Sequence, residues 1–272
     1  MGLSPWQILA AAEVRYCIVT LFLLWILLCL LFKRLPILDK PLGSAHQVVV
    51  LLPFCYLAFQ GSRLWLFDDG FAAAFADDRV FGFYAPAQSL VLVFFGFQVW
   101  DLTVTLVTPE LCKPDAIIHH SVSGVLALIG LSAGTSGFLL YYGAFFFGFS
   151  EVSSVPLAAV DIFRMNKRLA SAMPSVNEAC RVSFAALFLG IRCAYWPFVA
   201  FDFWRQTLAS GAPFSLLSVW WAANIGLTLL QYYWGMLIVK GIIKMVTGKK
   251  DSEGDAGSSG DGPLLEAGST LQ

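Results

Sequence analysis

The sequence predicts an all-α polytopic membrane protein with about seven transmembrane helices. Hydrophobic residues make up 58% of its 272 residues, while charged residues make up only 13%. The mean hydropathy is +0.73, far outside the range of soluble proteins, so the bilayer must be treated as the solvent. The apolar residues are also grouped into runs long enough to cross a membrane, since a spanning helix needs about 20 residues at about 1.5 Å each.

Seven such runs follow one another along the chain. The fourth is the shortest, and it leads into Gly130, Gly134 and Gly137, which predict a tight connection between two helices at the far membrane face. The seven predicted spans are residues 14–32, 48–66, 83–107, 116–131, 138–160, 179–201 and 214–239.

Orientation is predicted from the basic residues, because short cytosolic loops are enriched in Lys and Arg. With seven spans, most basic loop residues fall on one side, and the C-terminus is then cytosolic. The chain is accordingly divided into an N-terminal anchor helix with a cytosolic loop (1–41), a main transmembrane domain (42–246) and a flexible cytosolic tail (247–272). The residues on the basic side include Lys33, Arg34, Lys40, Lys113, Arg164, Lys167, Arg168, Lys244, Lys249 and Lys250.

Four ionisable residues interrupt three consecutive apolar runs: Asp101, the adjacent pair His119 and His120, and Glu151. In the predicted topology all four lie in the cytosolic half of the membrane. An intramembrane charge costs about 2.5–3.5 kcal/mol on insertion scales, so four charges at similar depth are best accommodated around one partly hydrated cavity. These residues are therefore the candidates for a catalytic site.

Further polar residues are predicted to face this cavity. Ser154 is three residues after Glu151 and shares its helix face, so the carboxylate is expected to orient an imidazole while the hydroxyl adds a hydrogen bond. Arg192 is slightly deeper and can pair with Glu151. Asn224 and Gln231 belong to a polar stripe on the last span. We assign Arg192, Ser154, Asn224 and Gln231 to substrate binding.

Each candidate also has a purely structural interpretation. The two histidines can be an interfacial pair that reaches the cytosolic headgroups. Glu151 and Arg192 can form an ion pair that only locks helix packing, and Asp101 can join helices by a hydrogen bond. The third histidine, His46, stands at the cytosolic end of the second span and is predicted to be a solvated interface residue.

Several functional classes are disfavoured by the sequence. The six cysteines are scattered without ligand spacing, which argues against a disulfide framework or a zinc site. Three histidines are too few for a membrane di-iron centre, so no metal or other cofactor is expected. The net charge of −1, with basic residues spread over the loops, argues against nucleic acid as a partner.

The polar segments together resemble the TLC-domain family, which includes ceramide synthases. The resemblance covers roughly residues 42–246. It rests on four segments: Gln98, Val99, Trp100 and Asp101; Ile118, His119, His120 and Ser121; Ser150, Glu151, Val152, Ser153, Ser154, Val155, Pro156 and Leu157; and the later helices with Arg192 and Trp234.

This resemblance implies about six helices in a bundle around a central cavity, with one peripheral helix. In ceramide synthases, paired histidines and a downstream acidic motif serve acyl transfer from acyl-CoA to a sphingoid amine, so His119 and His120 are implied as the catalytic pair. The chain departs from that motif in two places. Ser154 stands where the second acid is expected, and no histidine stands immediately before Glu151. A branch of the family other than the ceramide synthases is therefore implied.

Two functions follow as hypotheses. The first is membrane lipid metabolism or homeostasis by acyl transfer from acyl-CoA, with the intramembrane histidine pair as the reacting groups. The second is a non-catalytic protein that binds or senses lipid and so regulates membrane composition or trafficking. Membrane lipids are the expected partners in both, and the endoplasmic reticulum or another endomembrane is the expected location.

Overall fold

The computed structural model describes residues 2–134 and 137–247, and in these residues the secondary structure is helical. The predicted tail, from residue 248 onward, lies outside the described residues. The α-helices are α1 (Pro5–Ala10), α2 (Ala12–Phe32), α3 (Pro41–Phe67), α4 (Asp69–Ala74), α5 (Ala85–Val107), α6 (Pro114–Ser132), α7 (Leu140–Phe146), α8 (Ser154–Met165), α9 (Lys167–Ala172), α10 (Pro174–Leu187), α11 (Trp196–Ala209) and α12 (Phe214–Thr247).

The described residues contain six helical segments that are long and apolar enough to cross a membrane. They confirm the predicted class, an all-α integral membrane protein. The predicted fourth span corresponds to a shorter apolar helix, Ala116–Ser132, within α6. The six longer segments are Ala12–Phe32, Pro41–Phe67, Ala85–Val107, Leu140–Met165, Pro174–Ala209 and Phe214–Lys244.

Although it is short, α6 extends from one end of the bundle to the other. It begins after Lys113, which lines a groove together with Lys40 and Lys167; we call this the basic end. Its other end adjoins the loop before α5, because the backbone N–H of Leu139, just after the turn that follows α6, donates to the carbonyl of Val80 at 2.8 Å. We call this the opposite end.

The connection after α6 is the tight glycine turn that the sequence predicts. Gly134 has φ of +76° and Gly137 has φ of +134°, conformations that a side chain would strain. The turn also holds the start of the chain, since the N–H of Gly2 donates to the carbonyl of Gly134 at 2.9 Å. The helices α6 and α7 are thereby linked in a short hairpin.

The predicted fifth span is not a single regular helix. α7 ends at Phe146, and a 3-10 helix (Phe149–Ser153) follows before α8 begins. The break coincides with a close crossing against α3, where a Cβ added to Gly61 would lie 2.2 Å from the Phe149 nitrogen. Two glycines, Gly61 and Gly148, therefore let the backbones approach closely and set the position of the 3-10 helix that carries Glu151.

The predicted sixth span is also irregular, because a π-helix (Phe188–Tyr195) separates α10 from α11. π-helical turns are rare and occur frequently at functional sites. Arg181 and Arg192 are eleven residues apart, a spacing that would place both on one face of a regular α-helix. Instead Arg181 pairs locally with Glu178 at 3.5 Å, while Arg192 lies in the π-helix and points into the bundle, where it is 9% exposed.

At the opposite end, Asp202 ties three segments together. Its Oδ2 accepts hydrogen bonds from Arg79 at 2.7 Å and from the Tyr142 hydroxyl at 2.8 Å. Its Oδ1 accepts from Arg205, one turn further along α11, at 2.9 Å. The loop before α5, helix α7 and helix α11 are therefore held together by one carboxylate, far along the bundle from the basic end.

The Gly61 crossing generates a stability prediction. We expect Gly61→Ala to lower the free energy of unfolding by about 1–3 kcal/mol, because the added Cβ overlaps backbone atoms that have no room to move. The measurement is the thermal unfolding midpoint of the purified protein in detergent, followed by tryptophan fluorescence.

Gly226→Ala is the matched control, since a Cβ at Gly226 in α12 meets nothing within 4 Å. It is expected to keep or slightly raise the midpoint, because Ala is the better helix former by about 1 kcal/mol. A Gly61→Ala midpoint equal to that of the unsubstituted protein would show that the crossing is loose.

Candidate functional site

A cavity inside the bundle collects most of the predicted site residues. Its volume is about 120 Å³, and all three histidines of the chain line it. The polar residues on its wall are His46, Gln47, Gln98, Asp101, Thr105, His119, His120, Glu151, Ser153, Ser154, Asp161 and Arg192. They come from α3, α5, α6, the 3-10 helix, α8 and the π-helix, so the cavity lies where these elements meet.

Asp101 on α5 is the centre of one half of the cavity. The carboxylate is 2% exposed and lies between two imidazoles. Its Oδ1 accepts a hydrogen bond from His46 Nε2 at 2.5 Å, and its Oδ2 lies 3.4 Å from His120 Nδ1. Asp101 thus joins α3 and α6 through α5, and a buried negative charge is offset by two imidazole rings.

The prediction for His46 as a solvated interface residue is wrong. The residue is 5% exposed, and its ring is stacked against the ring of Trp100, with 5.3 Å between centroids and 5° between planes. Its Nδ1 is buried without a hydrogen-bond partner in the described part of the chain. Because Nε2 carries the proton given to Asp101, Nδ1 of the neutral ring is an acceptor, which costs less to leave unpaired than an N–H.

The geometry around His120 fixes its tautomer. His120 Nδ1 donates to the side-chain oxygen of Gln98 at 2.9 Å, and an amide oxygen can only accept. Nδ1 therefore carries the proton, and Nε2 of the neutral ring carries the lone pair. An imidazole held in this way through Nδ1 can act as a base at Nε2.

His119 is next to His120 but has a different environment. The two rings are 5.4 Å apart between centroids and meet edge to face at 73°. His119 Nδ1 is buried, and no hydrogen-bond partner for it occurs among residues 2–134 and 137–247. Adjacent helical residues point in different directions, so the two histidines have different contacts. His120 contacts Gln98 and Asp101, whereas Nδ1 of His119 is buried at the cavity without a hydrogen bond in the described residues.

Arg192 is the centre of the other half of the cavity. Its Nε donates to the Ser153 hydroxyl at 2.8 Å, and its Nη2 donates to the Ser154 hydroxyl at 3.1 Å. The same Nη2 lies 3.4 Å from Glu151 Oε1. The 3-10 helix and the first residue of α8 therefore supply three side-chain oxygen atoms to one guanidinium. Arg192 reaches them from the π-helix.

This arrangement corrects the role predicted for Glu151. The carboxylate was expected to orient an imidazole, but the contact that the structure gives it is the ion pair with Arg192. Asp101 holds the imidazoles instead. Likewise Ser154 accepts a hydrogen bond from Arg192 rather than donating to a histidine. The reason is local: the 3-10 helix turns Glu151 and Ser154 toward the π-helix.

The structure brings six of the eight predicted site residues to the cavity and places the other two outside its lining. Asn224 on α12 accepts a hydrogen bond from the Trp204 indole at 3.0 Å. Gln231 is 1% exposed, and its backbone carbonyl accepts from the Cys193 thiol at 3.7 Å. Both side chains are buried in protein, as the polar stripe predicted, but neither lines the cavity. Asn224 contacts α11 through its side chain, and Gln231 contacts the π-helix through its backbone carbonyl.

Six polar residues of the cavity wall were not among the predicted site residues: His46, Gln47, Gln98, Thr105, Ser153 and Asp161. His46 carried a usable signal, because it stands just before the second predicted span, at the same membrane face as the start of the fourth span, which carries His119. Asp161 also had one, since Arg164 follows it by three residues and the pair lies 2.9 Å apart. In the described residues, no group of three or more histidine, cysteine, aspartate or glutamate side chains is arranged to hold a metal ion.

The fold and the site define an integral membrane protein of helices with an intramembrane site of imidazole, carboxylate and guanidinium groups. The model of the TLC domain matches residues 38–240, so the chain belongs to the TLC domain family. An uncharacterized TLC domain-containing protein of Schizosaccharomyces pombe is 24% identical over 177 residues, which are 64% of this chain and 58% of that relative. The chain thus covers less than two thirds of the relative's length. No solved structure matches the chain.

The Arg192 cluster generates a second prediction. We expect Arg192→Lys to lower the free energy of unfolding by about 1.5–3 kcal/mol, because a lysine ammonium cannot reproduce the separate Nε and Nη2 bonds to the two serines. The thermal unfolding midpoint in detergent measures the effect.

Arg181→Lys is the matched control on the same span. In the described residues Arg181 makes the i,i+3 contact with Glu178, and its buried Nε has no hydrogen-bond partner. Lysine keeps the charge and loses no hydrogen bond, so the replacement is expected to change the free energy of unfolding by less than about 1 kcal/mol. Equal midpoints for the two variants would contradict a role for Arg192 in fixing the broken helix.

Proposed function

We propose that this TLC domain protein acts in membrane lipid metabolism by transferring an acyl group from acyl-CoA to the amine of a lipid. His120 is the general base of this reaction. The observation that supports the proposal is the joint placement of Asp101, His120 and Arg192 around one buried cavity. In this placement His120 is the base, Asp101 is the carboxylate beside its ring, and Arg192 is a cation on the wall of the same cavity.

The proposed step is a nucleophilic substitution at the thioester carbon. The amine nitrogen attacks the carbonyl while Nε2 of His120 takes the proton that the nitrogen loses. The C–N bond forms, the C–S bond breaks, and the thiolate of coenzyme A leaves. The imidazolium returns its proton to the thiolate, so that the products are an amide and free coenzyme A and His120 is regenerated.

Two neighbours have distinct roles in this step. Asp101 faces the Nδ1 side of His120 and stabilises the imidazolium that forms during the transfer. Arg192, held by Ser153 and Ser154, is the group available to stabilise the negative charge that develops on the carbonyl oxygen. Water-poor surroundings strengthen both effects, because charges interact more strongly at low dielectric constant.

The dimensions of the cavity favour a second candidate, a non-catalytic protein that binds or senses lipid. An apolar cavity of about 150 Å³ is enough for benzene, so about 120 Å³ accommodates the small polar end of a headgroup and not a long acyl chain. In this candidate the headgroup is retained by Asp101 and Arg192, and no product forms. In the acyl-transfer candidate the chain lies outside the cavity, along the helices.

We propose an endomembrane location, with the endoplasmic reticulum as the first choice, and a cytosolic C-terminus. The support is the concentration of Lys and Arg in the loops at the basic end, because cytosolic loops carry such residues. The basic end of the protein would then face the cytosol, where acyl-CoA would be available.

The direct test uses the full chain in liposomes with labelled acyl-CoA and a panel of amine lipids, and product is detected by mass spectrometry. We expect turnover that falls about 10²- to 10⁴-fold in His120→Ala, because general-base catalysis contributes about this factor. Absence of turnover in the unsubstituted protein, combined with retention of a lipid after purification, would reject acyl transfer and support the second candidate.

A finer prediction concerns the anchor of the base. Gln98→Ala removes the oxygen that holds His120 Nδ1, and misplacement of a catalytic group costs up to about 100-fold in rate. We expect kcat to fall while KM and the thermal unfolding midpoint stay near their original values.

Gln88→Ala is the matched control, because Gln88 is on the same helix, α5, ten residues from Gln98 and outside the cavity lining. It is expected to leave kcat unchanged. Equal loss of activity in the two variants would mean that Gln98 acts through the general stability of α5 and not through His120.

A further inference from the structure

A second concave site, which we call the basic groove, lies at the basic end outside the cavity. Its volume is about 570 Å³, and three separate segments form it: the α2–α3 connection, the α5–α6 connection and the α8–α9 junction. Five of its eight lining residues are basic and two are acidic. They are Asp39, Lys40, Glu110, Lys113, Arg164, Met165, Lys167 and Arg168.

The groove is a built feature, because a buried residue holds its walls together. Asn166 is 0% exposed and connects the α8–α9 junction to the start of α3. Its side-chain oxygen accepts from the Lys40 backbone N–H at 3.1 Å, and its side-chain nitrogen donates to the Ser44 hydroxyl at 2.7 Å. These bonds fix the segments from which Lys40 and Lys167 extend.

The two acidic residues of the groove serve its walls. Glu110 accepts a hydrogen bond from the Gly43 backbone N–H at 3.2 Å, which ties the α5–α6 connection to α3. Asp39 lies 3.6 Å from Arg168, whose Nη1 also donates to the Pro36 carbonyl at 2.9 Å. The lining carries five cations and two carboxylates, and Asp161 behind the wall pairs with Arg164 at 2.9 Å, so positive charge still exceeds negative charge along the groove.

The depth of the groove indicates the source of its ligand. Lys40 immediately precedes α3, Lys113 immediately precedes α6, and Met165 ends α8. The groove therefore lies where spanning helices end, which is the level of lipid headgroups, and basic residues there attract anionic lipids. Soluble anions would have to compete with headgroup phosphates that are already present at this depth.

We propose that the basic groove binds the phosphate headgroup of an anionic phospholipid from the leaflet at the basic end. This binding site is separate from the proposed acyl transfer and does not depend on it. The groove also borders the cavity: Arg164 lines the groove, Asp161 lines the cavity, and their side chains lie 2.9 Å apart. A phosphate bound at Arg164 would therefore be next to the cavity wall.

The test compares two double variants of the full chain that remove the same charge. Lys40→Gln with Lys167→Gln removes two exposed cations of the groove and leaves Arg164 and Arg168 in place. Lys33→Gln with Arg34→Gln removes two exposed cations just beyond the end of α2, outside the groove. The probes are short-chain phosphatidic acid, short-chain phosphatidylcholine and glycerol 3-phosphate, each titrated into protein in neutral detergent and followed by thermal unfolding and native mass spectrometry.

We expect saturable binding of phosphatidic acid that weakens about 30-fold in the groove variant and stays unchanged in the control variant, since each of the two basic residues near the surface contributes about 1 kcal/mol. Phosphatidylcholine and glycerol 3-phosphate are expected to bind more weakly. Added salt should reduce the affinity of the unsubstituted protein.

Three results would overturn the proposal. Equal weakening in both double variants would mean a diffuse attraction between charges at the basic end. Glycerol 3-phosphate binding as tightly as phosphatidic acid would assign the groove to a soluble phosphate compound. Absence of saturable phosphatidic acid binding, with an unchanged unfolding midpoint, would exclude the site. Without lipid, both double variants must unfold at the midpoint of the unsubstituted protein. If the groove double variant unfolds at a lower temperature, the single variant Lys167→Gln is used in its place.

Discussion

The burial of the Asp101 carboxylate is the constraint on which the arrangement of the bundle depends. An unpaired charge at this depth would be strongly unfavourable, so the chain must bring partners to it. His46 from α3 and His120 from α6 meet it on α5, and removal of one partner from a buried pair costs about 3–5 kcal/mol. The same carboxylate faces His120 Nδ1, the nitrogen that donates to Gln98, and so supports the tautomer set by that hydrogen bond. Stability and chemistry therefore have the same origin at this site.

The cavity keeps its two charged halves apart. Glu151 neutralises Arg192 within its own half, so the guanidinium does not draw Asp101 away from the imidazoles. The separation requires two departures from regular helix geometry. The 3-10 helix turns Glu151, Ser153 and Ser154 to one side, and the π-helix directs Arg192 toward them. A continuous α-helix in either place would move these groups by a large fraction of a turn, which explains why the irregular segments occur at the site and not elsewhere in the spans.

Hydropathy alone located the helical segments, because each of the seven apolar runs overlaps one or more of them, although the fourth run corresponds to a shorter apolar helix. The cost of intramembrane charge was sufficient to predict that Asp101, His119, His120 and Glu151 border one cavity. The pairing within that cavity was only partly predictable. Of the two partners that the sequence offered for Glu151, the ion pair with Arg192 is the one observed, and the contact with an imidazole is not. The burial of His46 was not predicted, because its position at the end of a span suggested solvation. That burial depends on contacts with Asp101 and Trp100 from another helix.

The two ends of the bundle satisfy their polar groups differently, and this asymmetry orients the site. At the opposite end, Asp202 is surrounded by Arg79, Tyr142 and Arg205, so its oxygens are committed to joining loops and helices. At the basic end, the groove is lined by more cations than carboxylates. Arg164 in this groove pairs with Asp161, which lines the cavity. An anionic or polar part of a lipid is therefore stabilised on approach from the basic end and gains nothing from the other. In the proposed lipid-binding role, the headgroup would therefore enter from the basic end, while the apolar chains remain in the bilayer along the helices.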